Sequence, residues 1–276
     1  MQMAMEAGDW GVSREILERY LKTGWAGRRI LYEDMTDSTN HMLRRAAGEG
    51  APHGTIAVAD MQTAGKGRRG RTWESPAGSS IYMSILLRPD IAPEKTSMLT
   101  LVAALSAAEG IRQFTGGLMP MIKWPNDIIL NGKKLAGILT EMSARSGQAA
   151  CVITGIGINV NTPEFPGELA ETATSLRMEC GRVLNRAPVI AAVLERLEEN
   201  YGTFLKTEDL TGLLDRYSAV LINRDRDVLI HAPGGVYRAH ASGITDTGEL
   251  VVQKPDGTVE KIYAGDVSVR GICGYA

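Results

Sequence analysis

Residues 65–73 (Gly-Lys-Gly-Arg-Arg-Gly-Arg-Thr-Trp) hold the densest chemistry in the chain, with Lys66, Arg68, Arg69 and Arg71 on a glycine-rich backbone. Glycine lets main-chain N–H groups approach an anion, and arginine pairs bidentately with phosphate or carboxylate oxygens. The stretch formally contains Gly-x-Gly-x-x-Gly. A dinucleotide fingerprint also needs a helix opening at once, and Pro76 leaves no room for one. Three readings stay open from this segment alone: a solvated basic loop, a nucleic-acid patch with Trp73 stacked on a base, or an anion-binding loop.

Four further segments carry candidates. In Lys123-Trp124-Pro125-Asn126-Asp127, the residues suit a turn, or Lys123 and Asp127 serve a nucleotide and its metal. In Lys133-Lys134-Leu135-Ala136-Gly137, Lys133 reads as solvated. Lys134 begins an apolar strand that could aim its ammonium inward, and Gly137 suggests close approach by a ligand or another backbone. In Gly155-Ile156-Gly157-Ile158-Asn159, alternating glycines weaken a strand. They make sense under a flat group or at a tight strand crossing, and both readings stand. Asp37-Ser38-Thr39-Asn40 reads first as a helix cap.

The elements that must hold these segments follow from period and punctuation. Residues 13–21 predict a short amphipathic helix capped by Ser13, and 29–32 a strand. A helix capped at 37–38 runs to about Ala47, followed by a strand over 54–59. Residues 63–79 form a loop long enough to be functional. A strand at 80–87 and a long helix at 97–114 follow. Asn131-Gly132 between apolar runs predicts a hairpin, 149–159 a strand, and Pro188 the first position of a helix reaching 205. From 222 onward, five short β-type runs separated by glycine turns predict a small barrel of about 50 residues. The class is α+β with a mixed sheet.

Bulk properties exclude several classes. The 276 residues are 44% apolar and 22% charged, and the net charge is −2, so the whole molecule offers no electrostatic case for nucleic acid or membrane. Cys151, Cys180 and Cys273 lack metal-ligand spacing, Cys151 reads as a buried thiol, and the pattern fits a reducing compartment. The four histidines form no zinc motif. The N-terminus lacks the pattern of a secretory signal and no apolar run is long enough to cross a bilayer, so the expected location is the cytoplasm. No P-loop and no Gly-x-Ser-x-Gly elbow is present, so no standard motif argues for ATP.

Together and in this order, the segments resemble the biotin protein ligase family. That family has an STN element, a glutamine ahead of a GRGRRGR-x-W loop, KWPND, a KLAGIL strand, a GIGIN strand and a C-terminal SH3-like barrel. Here these stand as Ser38-Thr39-Asn40, Gln62, residues 65–73, 123–127, 134–139 and 155–159. The resemblance implies an enzyme that makes biotinyl-5'-AMP from biotin and ATP, then transfers biotin to a lysine of a biotin carboxyl carrier domain. It implies a catalytic domain of the biotin/lipoate ligase type at 37–220, an SH3-like domain at 221–276, and a short extension at 1–36.

The roles implied are residue-specific. Ser38, Thr39 and Gln62 bind the ureido ring, with Asn40, Gly65, Lys66, Gly67, Arg68 and Gly137 also on the biotin side. Lys134 meets the biotin carboxylate, and Lys134 and Arg68 carry the catalytic charge. Arg69, Arg71, Trp73, Lys123, Asn126, Asp127, Asn159 and Arg270 lie on the nucleotide side. Mg2+ arrives with the phosphates, and Asp127 is its candidate ligand. A homodimer is implied.

Two departures stand out. Lys66 replaces an arginine of the family loop, keeping charge but losing the planar fork. Only 36 residues with one helix precede Asp37, which predicts a ligase without the repressor's DNA-reading domain and so no nucleic-acid partner. The rivals are a lipoate-protein ligase, which shares the catalytic fold, and a nucleic-acid-binding, biotin-responsive regulator.

Overall fold

Strand alternation sorts this chain into two faces. In β3 (Ser80–Leu87), Ile81, Met83, Ile85 and Leu87 enter the main core, while Tyr82, Ser84 and Leu86 lie on the opposite face. In β7 (Gln148–Asn159), Val152, Ile156 and Ile158 join that core, and Gly155 and Gly157 fall on the opposite face. The site is built on this second face.

The computed structural model describes residues 11–145, 148–265, 267–272 and 275. Its larger sheet has the order β1-β2-β3-β7-β6-β5-β4. The remaining strands are β1 (Ile30–Thr36), β2 (Ile56–Gln62), β4 (Met121–Lys123), β5 (Asp127–Leu130) and β6 (Lys133–Arg145). β1 and β2 are parallel, and the other neighbours are antiparallel. The β5–β6 connection is the expected hairpin: Asn131 and Gly132 both hold positive φ, 47° and 78°. The Trp124–Pro125 peptide is cis.

The helices are α1 (Arg14–Tyr20), α2 (Thr39–Gly48), α3 (Met98–Arg112), α4 (Leu169–Thr172), α5 (Leu176–Cys180), α6 (Arg186–Thr207) and α7 (Leu214–Ala219). α3 and α6 cover the main-core face. They approach closely because residue 110 is glycine; a Cβ there would lie 2.7 Å from the Val193 backbone nitrogen. α2 covers part of the other face through Met42, Leu43 and Ala46, against Ala57, Leu86, Ile153 and the buried free thiol of Cys151.

Several boundaries differ from expectation. α6 begins at Arg186, where the Asn185 side chain accepts from the Ala187 N–H at 3.0 Å, so Pro188 is the third helical residue and not the first. β2 extends to Gln62, which fixes that side chain at a strand end. The short helices α4, α5 and α7 were not anticipated, because segments of four to six residues carry too little periodicity to read.

All five C-terminal strands form: β8 (Arg226–Ala232), β9 (Gly235–Ile244), β10 (Leu250–Gln253), β11 (Val259–Ile262) and β12 (Ser268–Gly271). They make an antiparallel sheet in the order β11-β10-β9-β8-β12. Its inner residues, among them Val228, Ile230, Ala239, Leu250 and Val269, belong to the same continuous core as α3 and α6. Cys273 lies outside the described residues. Among the described residues, no helix is long and apolar enough to cross a membrane.

Candidate active site

The N-terminus of α2, the end of β2 and the bare glycines of β6 and β7 frame a first cleft. Gln62 Oε1 accepts from the Thr39 N–H at 2.9 Å and lies 3.2 Å from Thr39 Oγ1, while Gln62 Nε2 donates to Ser75 Oγ at 2.9 Å. Ser84 Oγ lies 2.6 Å from Asn40 Oδ1 and 2.7 Å from Thr39 Oγ1. An amide oxygen only accepts and Ser84 has one proton. The Asn40 amide donates in turn to Glu141 Oε2 at 2.7 Å. These groups hold one another in place, so the cleft's hydroxyls and amides are fixed before any ligand arrives.

Ser38 stands at the N-cap of α2, yet its side chain makes no capping hydrogen bond. The capping reading of residues 37–40 therefore does not account for Ser38, which is buried and lines the cleft.

A second cleft adjoins the first and is lined by cations. Arg69 and Arg71 come from the loop, Lys123 from β4, and Arg270 from β12. Lys134 Nζ lies 2.6 Å from Asp127 Oδ1, and the Tyr275 hydroxyl donates to Asp127 Oδ2 at 2.6 Å. Burial alone would raise the Asp127 carboxyl, but the Lys134 charge and the two hydrogen bonds hold it below its ordinary range. The same burial, with Asp127 beside it, pushes the Tyr275 phenol far up. Lys123 is buried with Nζ 3.6 Å from the centre of the Tyr275 ring. Burial lowers its pKa to about 7, Asp127 opposes that shift, and Arg270, Lys134 and Arg71 add to it.

The two clefts share Gly67, Arg68, Trp73, Asn126 and Lys134. Trp73 is the wall between them. A Cβ on Gly157 would lie 2.7 Å from its Cε2, and one on Gly137 would lie 3.0 Å from its Cζ3. Of the two readings of the alternating glycines, the flat neighbour is met at Gly157, and it is a side chain of this same chain. Its indole Nε1 is buried and has no hydrogen-bond partner among the described residues. Gly155 serves the neighbouring need, since a Cβ there would overlap the Asn40 amide.

The loop is an ordered miniature hairpin. The Gly67 N–H donates to the Arg71 carbonyl at 2.7 Å and the Trp73 N–H to the Gly65 carbonyl at 3.0 Å. Arg68 crosses to the C-terminal sheet: its guanidinium donates to Asn126 Oδ1 at 3.0 Å, to the Gly265 carbonyl at 2.9 Å and to the Ala264 carbonyl. Lys66 lines the first cleft, and its Nζ sits 3.1 Å from His41 Nε2, whose Nδ1 lies 3.2 Å from Asp37 Oδ2.

Of the residues predicted for the site, two stand apart. Asn159 lines neither cleft; its amide donates to the Thr174 carbonyl at 3.1 Å. Gly65 lines neither cleft and is a close-packing position, where a Cβ would overlap the Trp73 carbonyl. Ser84, Glu141, His41 and Tyr275 carry no signal in the sequence, being ordinary residue types outside any motif. Asp60 and Arg186 were also missed. Arg186 Nη2 lies 2.7 Å from Asp60 Oδ1, and its Nη1 donates to the Ser80 carbonyl at 3.0 Å, tying the far end of the loop to α6.

In this arrangement Asp127 offers a metal no open oxygen. Among the described residues it is the only carboxylate lining either cleft, and Lys134 and Tyr275 engage both of its oxygens. Magnesium held by protein needs carboxylate oxygens that are open to it. Among the described residues, no group of three potential ligands converges.

The site is thus a polar slot joined to a cationic cleft under a basic glycine loop, on a mixed sheet backed by a small β-sheet. The biotin/lipoate A/B protein ligase family matches residues 32–159, and the biotin protein ligase C-terminal domain matches 225–270. The bifunctional ligase/repressor BirA of Bacillus subtilis (strain 168) is 40% identical over 251 residues, covering 90% of this chain and 76% of that protein. The biotin--[acetyl-CoA-carboxylase] ligase of Mycobacterium tuberculosis is 30% identical over 260 residues, covering 92% of this chain and 94% of that one. The structure of biotin protein ligase from Aquifex aeolicus in complex with biotin and ATP superposes with a TM-score of 0.77 at 29% identity, covering 88% of this chain and 99% of that chain. The chain belongs to the biotin protein ligase family.

Proposed function

We propose that this ligase activates biotin with ATP as biotinyl-5'-AMP and then transfers it to a lysine of a biotin carboxyl carrier domain. The observation that carries the reading is the sharing of Lys134 and Arg68 by both clefts. A carboxylate reaching in from one side and an α-phosphate from the other meet at those two cations.

On this reading, the first cleft takes biotin. Ser38, Thr39 and Gln62 offer the mixed donors and acceptors that a ureido ring requires. The second takes ATP, with Arg69, Arg71, Lys123 and Arg270 toward the phosphates and Trp73 and Asn126 at the join. A biotin carboxylate oxygen attacks the α-phosphorus, and the bond to pyrophosphate breaks. The carrier amine then attacks the acyl carbon, and AMP leaves. Lys134 begins paired with Asp127 and turns toward the oxygens as negative charge develops there. Preorganised charge of this kind is the main lever on phosphoryl chemistry. The ordered loop keeps water from the anhydride.

Residues 37–220 make up the catalytic unit in this proposal and 221–276 the C-terminal one. A homodimer and a cytoplasmic setting accompany it. The fixed amides and hydroxyls of the first cleft favour biotin over lipoate, because a ureido ring can both donate to and accept from them and lipoate has no such group. Pyrophosphate release from ATP, supplied as its magnesium complex, should depend on biotin and not on lipoate. Release driven equally by lipoate would contradict the assignment.

A further inference from the structure

The cationic cleft continues beyond Arg270 into an open groove. Both are lined by Arg69, Arg71, Ser268 and Arg270, and the groove adds His231 and Val236. Strand alternation builds one wall. Val228, Ile230 and Val269 turn into the core, which leaves Ser268, Arg270 and His231 on the outer face, with Ser268 and His231 paired in register. The loop builds the other wall. Arg69 holds φ 59° and ψ 37°, a left-handed conformation that side chains other than glycine rarely adopt, and it lines the groove from there. Among the described residues, Arg69, Arg71, Arg270 and His231 make no ion pair with a carboxylate. Among the described residues, three guanidinium groups therefore face one open channel with no carboxylate paired to them, an arrangement that concentrates small polyanions.

We propose that this groove is an exit subsite for pyrophosphate, leading past the β8–β9 turn. The proposal rests on the adenylation reading and deepens it. When the carboxylate oxygen bonds to the α-phosphorus, the bond from that phosphorus to the bridging oxygen breaks, and its electron pair leaves on pyrophosphate. The product carries more negative charge than the same two phosphates did within ATP. A row of cations running out of the cleft draws it away from the adenylate. Continuity favours pyrophosphate over an acidic protein surface, because the four shared residues make the groove an extension of the phosphate site.

The test is inhibition of adenylate formation by added pyrophosphate in the full-length protein. His231→Ala, at the far rim, should weaken the inhibition constant roughly 3- to 10-fold. Val236→Lys adds a cation at a position 59% exposed and should tighten inhibition by a similar factor, a gain that misfolding does not produce. The carrier-domain KM should stay put in both variants. Inhibition constants equal to wild type in both would overturn the proposal. So would unchanged inhibition with a shifted carrier KM, which would assign the groove to an acidic protein partner. A wild-type protein that releases no pyrophosphate from biotin and ATP would overturn the ligase reading itself, and the groove's role with it.

Discussion

Lys134 Nζ lies 2.6 Å from Asp127 Oδ1, so the cation at the meeting point of the two clefts is held by a carboxylate that is itself mostly buried. This pairing separates two consequences of removing the lysine. Lys134→Ala should slow biotinyl-AMP formation on the order of 100- to 1,000-fold, the usual cost of losing a preorganised charge-stabilising donor. It should also cost about 1–3 kcal/mol of stability by leaving Asp127 under-partnered. In the double variant Lys134→Ala/Asp127→Asn, stability should largely return while the rate stays low. Pyrophosphate release and denaturant midpoints measure the two effects. A double variant that regains both would make Lys134 a structural residue.

Trp73 and Gly157 form a second pair. Gly157→Ala places a methyl group 2.7 Å from the indole, which must then leave its seat. Nucleotide affinity should fall. In a Trp73→Ala background, the same substitution should be nearly neutral, giving a coupling of roughly 0.5–3 kcal/mol in a double-mutant cycle on ATP binding. Additive effects would show that the glycine serves something other than the tryptophan.

These pairs mark where the sequence was legible. Asn131-Gly132, the period-2 strands and the spacing of the five C-terminal strands announce themselves, because turn chemistry and alternation are local. Glycines at 155 and 157 announced a close neighbour, either a flat group or a strand crossing, but could not name it, since Asn40 reaches the first and Trp73 the second only through the tertiary fold. Ser84, Glu141 and Tyr275 were invisible for the same reason: a serine in a strand or a tyrosine near a terminus acquires meaning from what the fold places beside it. Asn159 shows the opposite case: it sits in a recognisable motif, but it lines neither cleft and its amide donates to the Thr174 carbonyl.

Lys123 makes the site sensitive to pH. Its pKa is about 7 against an ordinary 10.5, with burial as the largest cause. Between those values the unfolded chain holds a proton that the folded one lacks, so this residue's contribution to stability rises with pH from about 7 to 10.5. Phosphates favour the charged form. Nucleotide binding near pH 8 should therefore take up a proton, visible as a dependence of binding enthalpy on the buffer's ionisation enthalpy. Lys123→Met should abolish it. Equal uptake in that variant would assign the proton elsewhere.

Arg68 ties the loop to Asn126 and to the carbonyls of Ala264 and Gly265. Arg68→Gly removes that tie, so the loop should close poorly over the intermediate. Charge-assisted bonds of this sort are worth roughly 1.5–3 kcal/mol each, which is about 10- to 150-fold in the off-rate of biotinyl-AMP. The variant should still make the adenylate and should leak it onto lysines of added serum albumin. Wild-type retention together with wild-type albumin labelling would show that the loop does not act as a closure.

The central claim is that this chain joins biotin to a carrier lysine at the expense of ATP. The direct measurement is the intact mass of a biotin carboxyl carrier domain after incubation with the protein, biotin and the magnesium complex of ATP. The account predicts the gain of a single biotinyl group, lost when biotin or ATP is omitted or when the carrier's acceptor lysine is replaced by arginine. An unchanged carrier mass with folded protein and all components present would contradict it.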